Sequence, residues 1–404
     1  MQSLIKNKKL NKTQQTALEK LETIGLPTKK TEEYRYFDIS DIREKEWDIV
    51  KHSDINTTSS KEFTIIDGKV ESYPNDINLD ISFDEEIDID KNHFDPMYYL
   101  GHTMSEKNIH IKFKNDCTIV IRQIFTAQNK MIPYRISFDI PNNINVRITD
   151  LFEDMHSQDI FVNSGYDITI GQNAVCTLIQ EKTTYNNNSK FIFSHYAKVN
   201  DGGIFNLHTF DFGEGKSLQL IKAEIEDNAH INSYHLLFAK DNSNIGTVSK
   251  IIHNGKNSKS IQKSKNILQD KAKGIFDALI NIKNSGKGSA THQNSQAILL
   301  NDGAMMASKP QLEIYIDDVE ASHGSTIGEL DKDQMFYLQS RGISQQEAKK
   351  LLILAFANEM IDVIEDKNTQ NFLHQSFEKS YYNKAQMECI LTCHNCEDMI
   401  LKEK

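Results

Sequence analysis

Three cysteines crowd the end of the chain: Cys389, Cys393 and Cys396, with His394 between the last two. Thiolates this close bind soft or borderline metals, and the two-residue gap from Cys393 to Cys396 is the chelating spacing of zinc and iron sites. A fourth ligand is missing, because His394 adjoins Cys393 and the two cannot easily close on one ion. The C-x3-C-x2-C spacing also matches the cluster loop of radical enzymes, where it lies near the start of a large α/β barrel rather than on a tail. Thiols without a native metal are the simpler reading, with a three-thiolate site at Cys389, Cys393 and Cys396 as the alternative. A second candidate, Gly215-Lys216-Ser217, ends like a phosphate-binding loop, but Phe210 stands where that loop needs its first glycine. ATP hydrolysis is not expected of this chain. Carboxylates are too many for one acid–base pair to stand out, and no G-x-S-x-G, H-E-x-x-H or dinucleotide glycine pattern occurs. His230, His235 and His292 read as solvated or hydrogen-bonded rather than catalytic.

What must position any such groups is a chain of 404 residues, 38% hydrophobic and 25% charged, long enough for two to three domains and a real core. Its 57 acidic residues outnumber 46 basic ones, for a net charge of −11, which argues against coating a nucleic-acid backbone. No run approaches the ~20 apolar residues of a membrane span. The stretch MQSLIKNKKLNKTQQ is basic but lacks the apolar centre of an export signal, so a cytoplasmic protein is expected. An odd count of 5 cysteines fits reduced thiols rather than a disulfide framework.

Three regions are expected. Residues 1–95 form an N-terminal helical and lead-in region. In it LNKTQQTALEKLETIGLP reads as a helix with Ala17, Leu18 and Leu21 on one face and Gly25 and Pro27 as the stop. The aromatic and charged segment TKKTEEYRYFDISDIREKEW reads as an adaptor, and the acidic run Asp80–Asp95 as a solvated connection. Residues 96–325 change to period two: IHIKFKN, CTIVIRQI, YRISFDI, NVRITDLF, YDITIGQN, AVCTLIQE, IFNLHTFDF, LQLIKAEI and LEIYIDDV each read as a strand. Turns at 171–174, 201–203, 226–230, 240–244 and 301–304 are built from Asn, Asp, Gly and Ala. Such irregular repetition without intervening helices favours a parallel β-helix over a sandwich. Residues 326–404 return to helix: Asp331 with Gln334, and Ser344 with Glu347, are capping-box patterns, and Gly342 ends the first of the two helices. Ala348, Leu351, Leu352, Ala355, Phe356, Met360 and Val363 make an apolar stripe on the second, mostly core but wide enough to meet a partner.

Residues 309–356 carry a more specific signal: KPQLEIYIDDVEASHGSTIGELDKDQMFYLQSRGISQQEAKKLLILAF. KPQLEI, DDV, SHGSTIG and FYLQSRGI, followed by A-x-x-LL-x-x-AF, strongly resemble the C-terminal signature of the SufB/SufD family of iron–sulfur cluster assembly proteins. THQNSQAILLNDGA at 291–304 resembles the family's last strands. GLPTKKTEEYRYFDI resembles the start of its SufD branch, which the chain length also favours. The resemblance implies a mainly β fold, a right-handed parallel β-helix flanked by N-terminal and C-terminal α-helical regions. It implies a non-enzymatic scaffold that pairs with a SufB-like subunit through the β-helices and docks a SufC-like ABC-type ATPase through C-terminal helices. The cluster would be transient and shared with the SufB-like partner, its sulfur supplied as persulfide by a desulfurase. No nucleotide, nucleic acid or membrane is expected to bind this chain.

His323, in SHGS, matches the family histidine at the subunit interface. A neutral imidazole there either ligates iron or only hydrogen-bonds across the interface. Ala321 stands where many relatives carry cysteine, so cluster thiolates would come mainly from the partner. The candidate ATPase contacts are Phe336, Tyr337, Arg341, Leu351, Leu352 and Phe356. Two other classes compete: a β-helix polysaccharide lyase or hydrolase, and a homodimeric interaction scaffold without its own cluster. Against the lyase stand the missing export signal and a single tryptophan, Trp47, outside the β region.

Overall fold

The computed structural model describes residues 10–50, 58–60, 62–83, 86–154, 157–183 and 188–382. The chain divides between Asp331 and Lys332 into two compact units. This boundary lies just beyond the expected 325, and residues 10–95 belong to the first unit rather than forming one of their own.

The first unit is a parallel β-solenoid of about seven turns. Two sheets run its length, and strands of alternate half-turns stack in register within each. Asn145 pairs with Val175 and Ser289 with Val319, 30 residues per turn, while Ile204 pairs with His230 after 26. Along each strand the residues alternate between the lumen and the outside. Ile119, Ile148, Leu178 and Leu207 form one such inward column and are buried. One corner repeats because it needs a left-handed residue in every turn. Asn143, Asn173, Gly202, Asn228, Asn257 and Gly288 all have positive φ, and Asn and Gly tolerate that region. Each sends its N–H to a carbonyl of the next turn: Asn173 to Asp201, Gly202 to Asp227, Asn228 to Lys256. At Gly202 and Gly288 a Cβ would come 2.4 or 2.5 Å from the side-chain oxygen of Asn173 or Asn257 below, so that amide would have to turn aside. The expected turns at 171–174, 201–203 and 226–230 are three of these corners.

Three expectations change. LEIYIDDV is not one strand: Met305–Ile314 ends inside it, the chain turns through 315–318, and Val319–Gly328 begins at its last residue. The helix Pro96–Met104 lies where strands were expected to begin. It is buried at every residue, so it lacks the one-sided stripe by which surface helices are read, and Asp95 caps it by accepting from the Met97 N–H at 3.0 Å. The acidic connection is not simply solvated either. Strands Phe63–Ile66 and Lys69–Pro74 precede it, strand Leu79–Phe83 takes in its first residues, and the side chains of Asp90 and Asp95 are buried in ionic and hydrogen-bonded contacts.

The helix Lys12–Ile24, with the capping box of Asn11 and Gln14, packs on Pro96–Met104, burying Ala17 and Leu21. The adaptor then runs as a strap along the outer face of one sheet. Lys216 donates to the Asp38 carbonyl at 2.9 Å, Asn244 to the Tyr36 carbonyl at 3.1 Å, and Lys309 pairs with Glu32. The strap therefore crosses successive turns and ends on the last strand of that sheet.

The second unit comprises the helices Lys332–Ser340, Gln345–Ile361 and Lys367–Tyr381. Gly342 at φ 85° separates the first two, and the Ser344 hydroxyl caps the second by accepting from the Glu347 N–H. The buried face of the long helix is Ala348, Ile353, Ala357, Met360 and Ile361, against Leu373 and Phe377 of the last helix's buried side. The expected stripe is thus shifted: only Ala348 and Met360 of it are core, while Leu351, Ala355 and Val363 are exposed.

Candidate functional site

Both sheets stop at the same end of the solenoid. Among the described residues, Val319–Gly328 pairs only with Ser289–Leu299, and Met305–Ile314 only with Lys273–Ile282. Each leaves a free row of backbone N–H and C=O groups, the kind of edge that another strand completes. Apolar side chains crowd it: Tyr315 is 58% exposed and Ile327 44%, with Met305 and Ile314 also exposed.

The lumen opens here too. Thr291, Gln293, Ser295 and Ala297 point inward and are buried, and Ala321, His323, Ser325 and Ile327 stack on them in register with no turn above. Position parity therefore puts His323 at the mouth, exposed although it occupies an interior column. The Ser325 hydroxyl meets that of Ser308 at 2.8 Å and links the two sheets across the mouth. On the outer face His292 lies 2.8 Å from the Ser322 hydroxyl. An exposed imidazole offers a nitrogen lone pair to a metal, and the Ala321 methyl in the neighbouring column offers none.

Behind the mouth the lumen is polar. The His323 column continues inward through Gln293, Gln262 and Ser233, all buried. Gln293 donates to the Ala278 carbonyl at 3.1 Å, and Gln262 accepts from Ser249 at 2.7 Å. The Gln262 Nε2, Gln293 Oε1 and Ser295 Oγ atoms have no hydrogen-bond partner among the described residues. Deeper in, Lys182 donates to Gln219 at 2.6 Å and lies 4.4 Å from the Phe193 ring. Burial pulls its ammonium down to about 8, against the opposing pull of Asp211 and Asp150. Burial pushes Asp150 up to about 6 even though Tyr166, Gln123 and Gln180 all donate to it. His235, read as solvated or hydrogen-bonded, is buried here beside Ser233 at 2.8 Å, and burial lowers it to about 3.

Toward the other end of the stack, the outer face of one sheet carries a clasp under helix Pro96–Met104. Arg135, fully buried, donates to Asp167 at 2.9 Å and to the Ser194 carbonyl at 2.6 Å. Tyr98 donates to the same carboxylate at 2.5 Å and His102 lies 3.0 Å from it. Burial alone would raise Asp167, but Arg135, His102 and Tyr98 together hold it well below the usual carboxylate range. Tyr34 of the strap adds a bond to Asp95 at 2.6 Å. The Lys216 ammonium of the rejected phosphate loop lies 3.0 Å from Asp41 of the same strap.

In the second unit Phe336 is 73% and Tyr337 57% exposed, Arg341 stacks on Tyr337 at 5.3 Å, Leu351 is exposed, and Leu352 and Phe356 are half-buried. Asp333, Gln334, Tyr337, Leu338 and Leu352 line an open cleft of about 440 Å³. Cys389, Cys393 and Cys396 lie outside the described residues.

A family model described as SUF system FeS cluster assembly, SufBD core domain, matches residues 123–356, more than half of the chain. The chain belongs to the SufB/SufD family. A second family model, the SufBD protein N-terminal region, matches residues 2–71. Several of its relatives are named SufD. The iron–sulfur cluster assembly protein SufD of Escherichia coli K12 is 29% identical over 237 residues, covering 58% of this chain and 55% of that one. SufD of Plasmodium falciparum is 30% identical over 184 residues, 45% of this chain and 13% of that one. A SufBD family protein of Synechocystis is 27% identical over 256 residues, 61% and 56% of the two chains. The alignments thus span about half the length of the two bacterial relatives. The SufBD core match contains the solenoid from Gln123 onward, His323, and all six candidate contacts from Phe336 to Phe356, but not the tail cysteines. What sequence reasoning about this SufB/SufD chain missed was the clasp and the polar lumen. The one available signal for the lumen was failed alternation: KSIQKSKNIL and SATHQNSQAIL are polar on both faces.

Proposed function

We propose that the chain is a SufD-like scaffold subunit in iron–sulfur cluster assembly, its open solenoid end pairing with a SufB-like β-helix and its C-terminal helices docking a SufC-like ATPase. The observation that carries this reading is the coincidence, at one end, of two unpaired strand edges, an exposed apolar rim and His323 at the lumen mouth. A solenoid end needs a cap, and here the cap would be another chain. Iron and sulfide are the cargo. In this reading His323 presents one imidazole nitrogen to iron at the boundary between subunits, and Ala321 leaves the thiolates to the partner. The exposed Phe336, Tyr337 and Leu351, with Arg341, give the ATPase an apolar patch with a cationic edge. ATP turnover belongs to that partner.

The test is coexpression with the SufB-like and SufC-like subunits, followed by mass, iron and acid-labile sulfide per complex after anaerobic reconstitution. His323→Ala is expected to lower iron and sulfide without dissolving the complex, and His323→Cys to recover part of the iron. A full cluster in His323→Ala overturns the ligand role, and a dissolved complex replaces it with an interface role. Deleting residues 345–404, or combining Phe336→Ala with Leu351→Ala, is expected to release the ATPase while the β signal in circular dichroism persists.

A further inference from the structure

The buried amide directly below His323 is only half satisfied. Gln293 is 0% exposed, and its Nε2 donates to the Ala278 carbonyl across the lumen. A carbonyl can only accept, so this bond fixes which end of the amide is which. Oε1 is thereby left as a buried acceptor, and no donor among the described residues reaches it. Buried polar atoms are rarely orphaned, and each such atom calls for a partner. Two donors flank it in the same column: Gln262, with an unpaired Nε2 on the inner side, and His323 on the open side. A carboxamide oxygen has two lone pairs and can serve both.

We propose that Gln293 is the positioning residue for His323: a rotation of the exposed ring brings one of its N–H groups onto the unpartnered carboxamide oxygen, which selects one imidazole tautomer and leaves the other nitrogen's lone pair for the open side. A metal-binding histidine generally has its second nitrogen held in this way, since an acceptor behind the ring fixes both orientation and tautomer. The inference rests on the proposed ligand role only for its purpose; the tautomer itself is a property of the metal-free chain.

The test is therefore made on the full chain without metal. With imidazole nitrogens labelled by ¹⁵N, the His323 signals are identified by their loss in His323→Gln, at a pH well above the imidazole range. One tautomer is expected to dominate in the native protein. Gln293→Leu keeps the volume but removes the acceptor, and is expected to shift the ratio several-fold toward that of a solvated histidine. Gln293→Glu keeps an acceptor and is expected to keep the native tautomer. An unchanged ratio in a folded Gln293→Leu overturns the proposal. If Gln293→Leu does not fold, Gln293→Asn, whose shorter arm withdraws the oxygen, is expected to show the same shift, and an unchanged ratio there overturns it equally. Should the tautomer respond while iron retention ignores His323→Ala, the positioning role stands and the ligand reading of the site falls.

Discussion

The covered outer flank of the solenoid and its open mouth hold their buried polar groups differently. At the clasp, Arg135, Tyr98 and His102 converge on the Asp167 carboxylate and are buried with it, with Arg135 Nε left without a hydrogen-bond partner among the described residues. At the mouth, among the described residues, Gln262, Gln293 and Ser295 keep unpaired atoms, the last strands have no further partner, and His323 is exposed. The clasp holds opposite charges together within one chain, whereas the mouth holds uncharged amides and hydroxyls beside strand edges that another chain can complete. The contrast separates stability from assembly, and four measurements probe it.

The largest effect should come from breaking the clasp. Arg135→Met strands a buried carboxylate, which costs on the order of 3–5 kcal/mol; urea unfolding should show the loss, and a change under about 1 kcal/mol would mean the clasp is not a stability centre. Charging the open edge should do the reverse. Ile314→Lys with Ile327→Lys is expected to weaken pairing with a second β-helix by about a hundredfold, about 2.7 kcal/mol, with unfolding nearly unchanged. Analytical ultracentrifugation alongside calorimetry separates the two quantities.

Two buried carboxylates sharpen the comparison through pH. Asp167 is held low in the folded chain, so its contribution is present above the ordinary carboxylate range and is lost as pH falls below that range toward the depressed folded value. Asp150 is raised by burial from 3.8 to about 6, so the folded state holds the extra proton and its contribution declines as pH rises across that interval. Asp150→Asn should therefore flatten a downward trend in stability between those values, whereas Asp167→Asn should remove an upward one at lower pH. Equal slopes in both variants would erase the distinction between the interior and the clasp. The smallest effect is expected of His323→Ala alone, within about 0.5 kcal/mol in unfolding, because an exposed side chain at an unpaired edge supports no core.

Much of this was legible beforehand in particular residues. Asn173, Gly202 and Asn228 recur because one corner of every turn needs positive φ, and that demand is local enough to be written in sequence. The pieces KPQLEI, SHGSTIG and FYLQSRGI led to the family, and the inward parity of 321, 323, 325 and 327 follows from alternation once the strand limits are known. Those limits were the obstacle: LEIYIDDV reads as one strand, and only the corner at 315–318 shows that His323 sits mid-strand at the mouth. The C-terminal stripe drifted for a similar reason, since Leu351 and Ile353 are equally apolar and only packing against the last helix decides which is core.

The sequence by itself determined the period-two runs, the left-handed corners, the helix cap at Ser344, and the lack of a phosphate loop, because each depends on residues within one turn of chain. Tertiary structure alone decided the clasp and the polar lumen. Arg135 meets a carboxylate 32 positions away, Tyr34 one 61 positions away, and Gln293 comes to lie beneath His323 only when two turns stack. Stacking turns a polar residue on an inward face, costly in an isolated strand, into the neighbour of another, and no local pattern encodes that meeting.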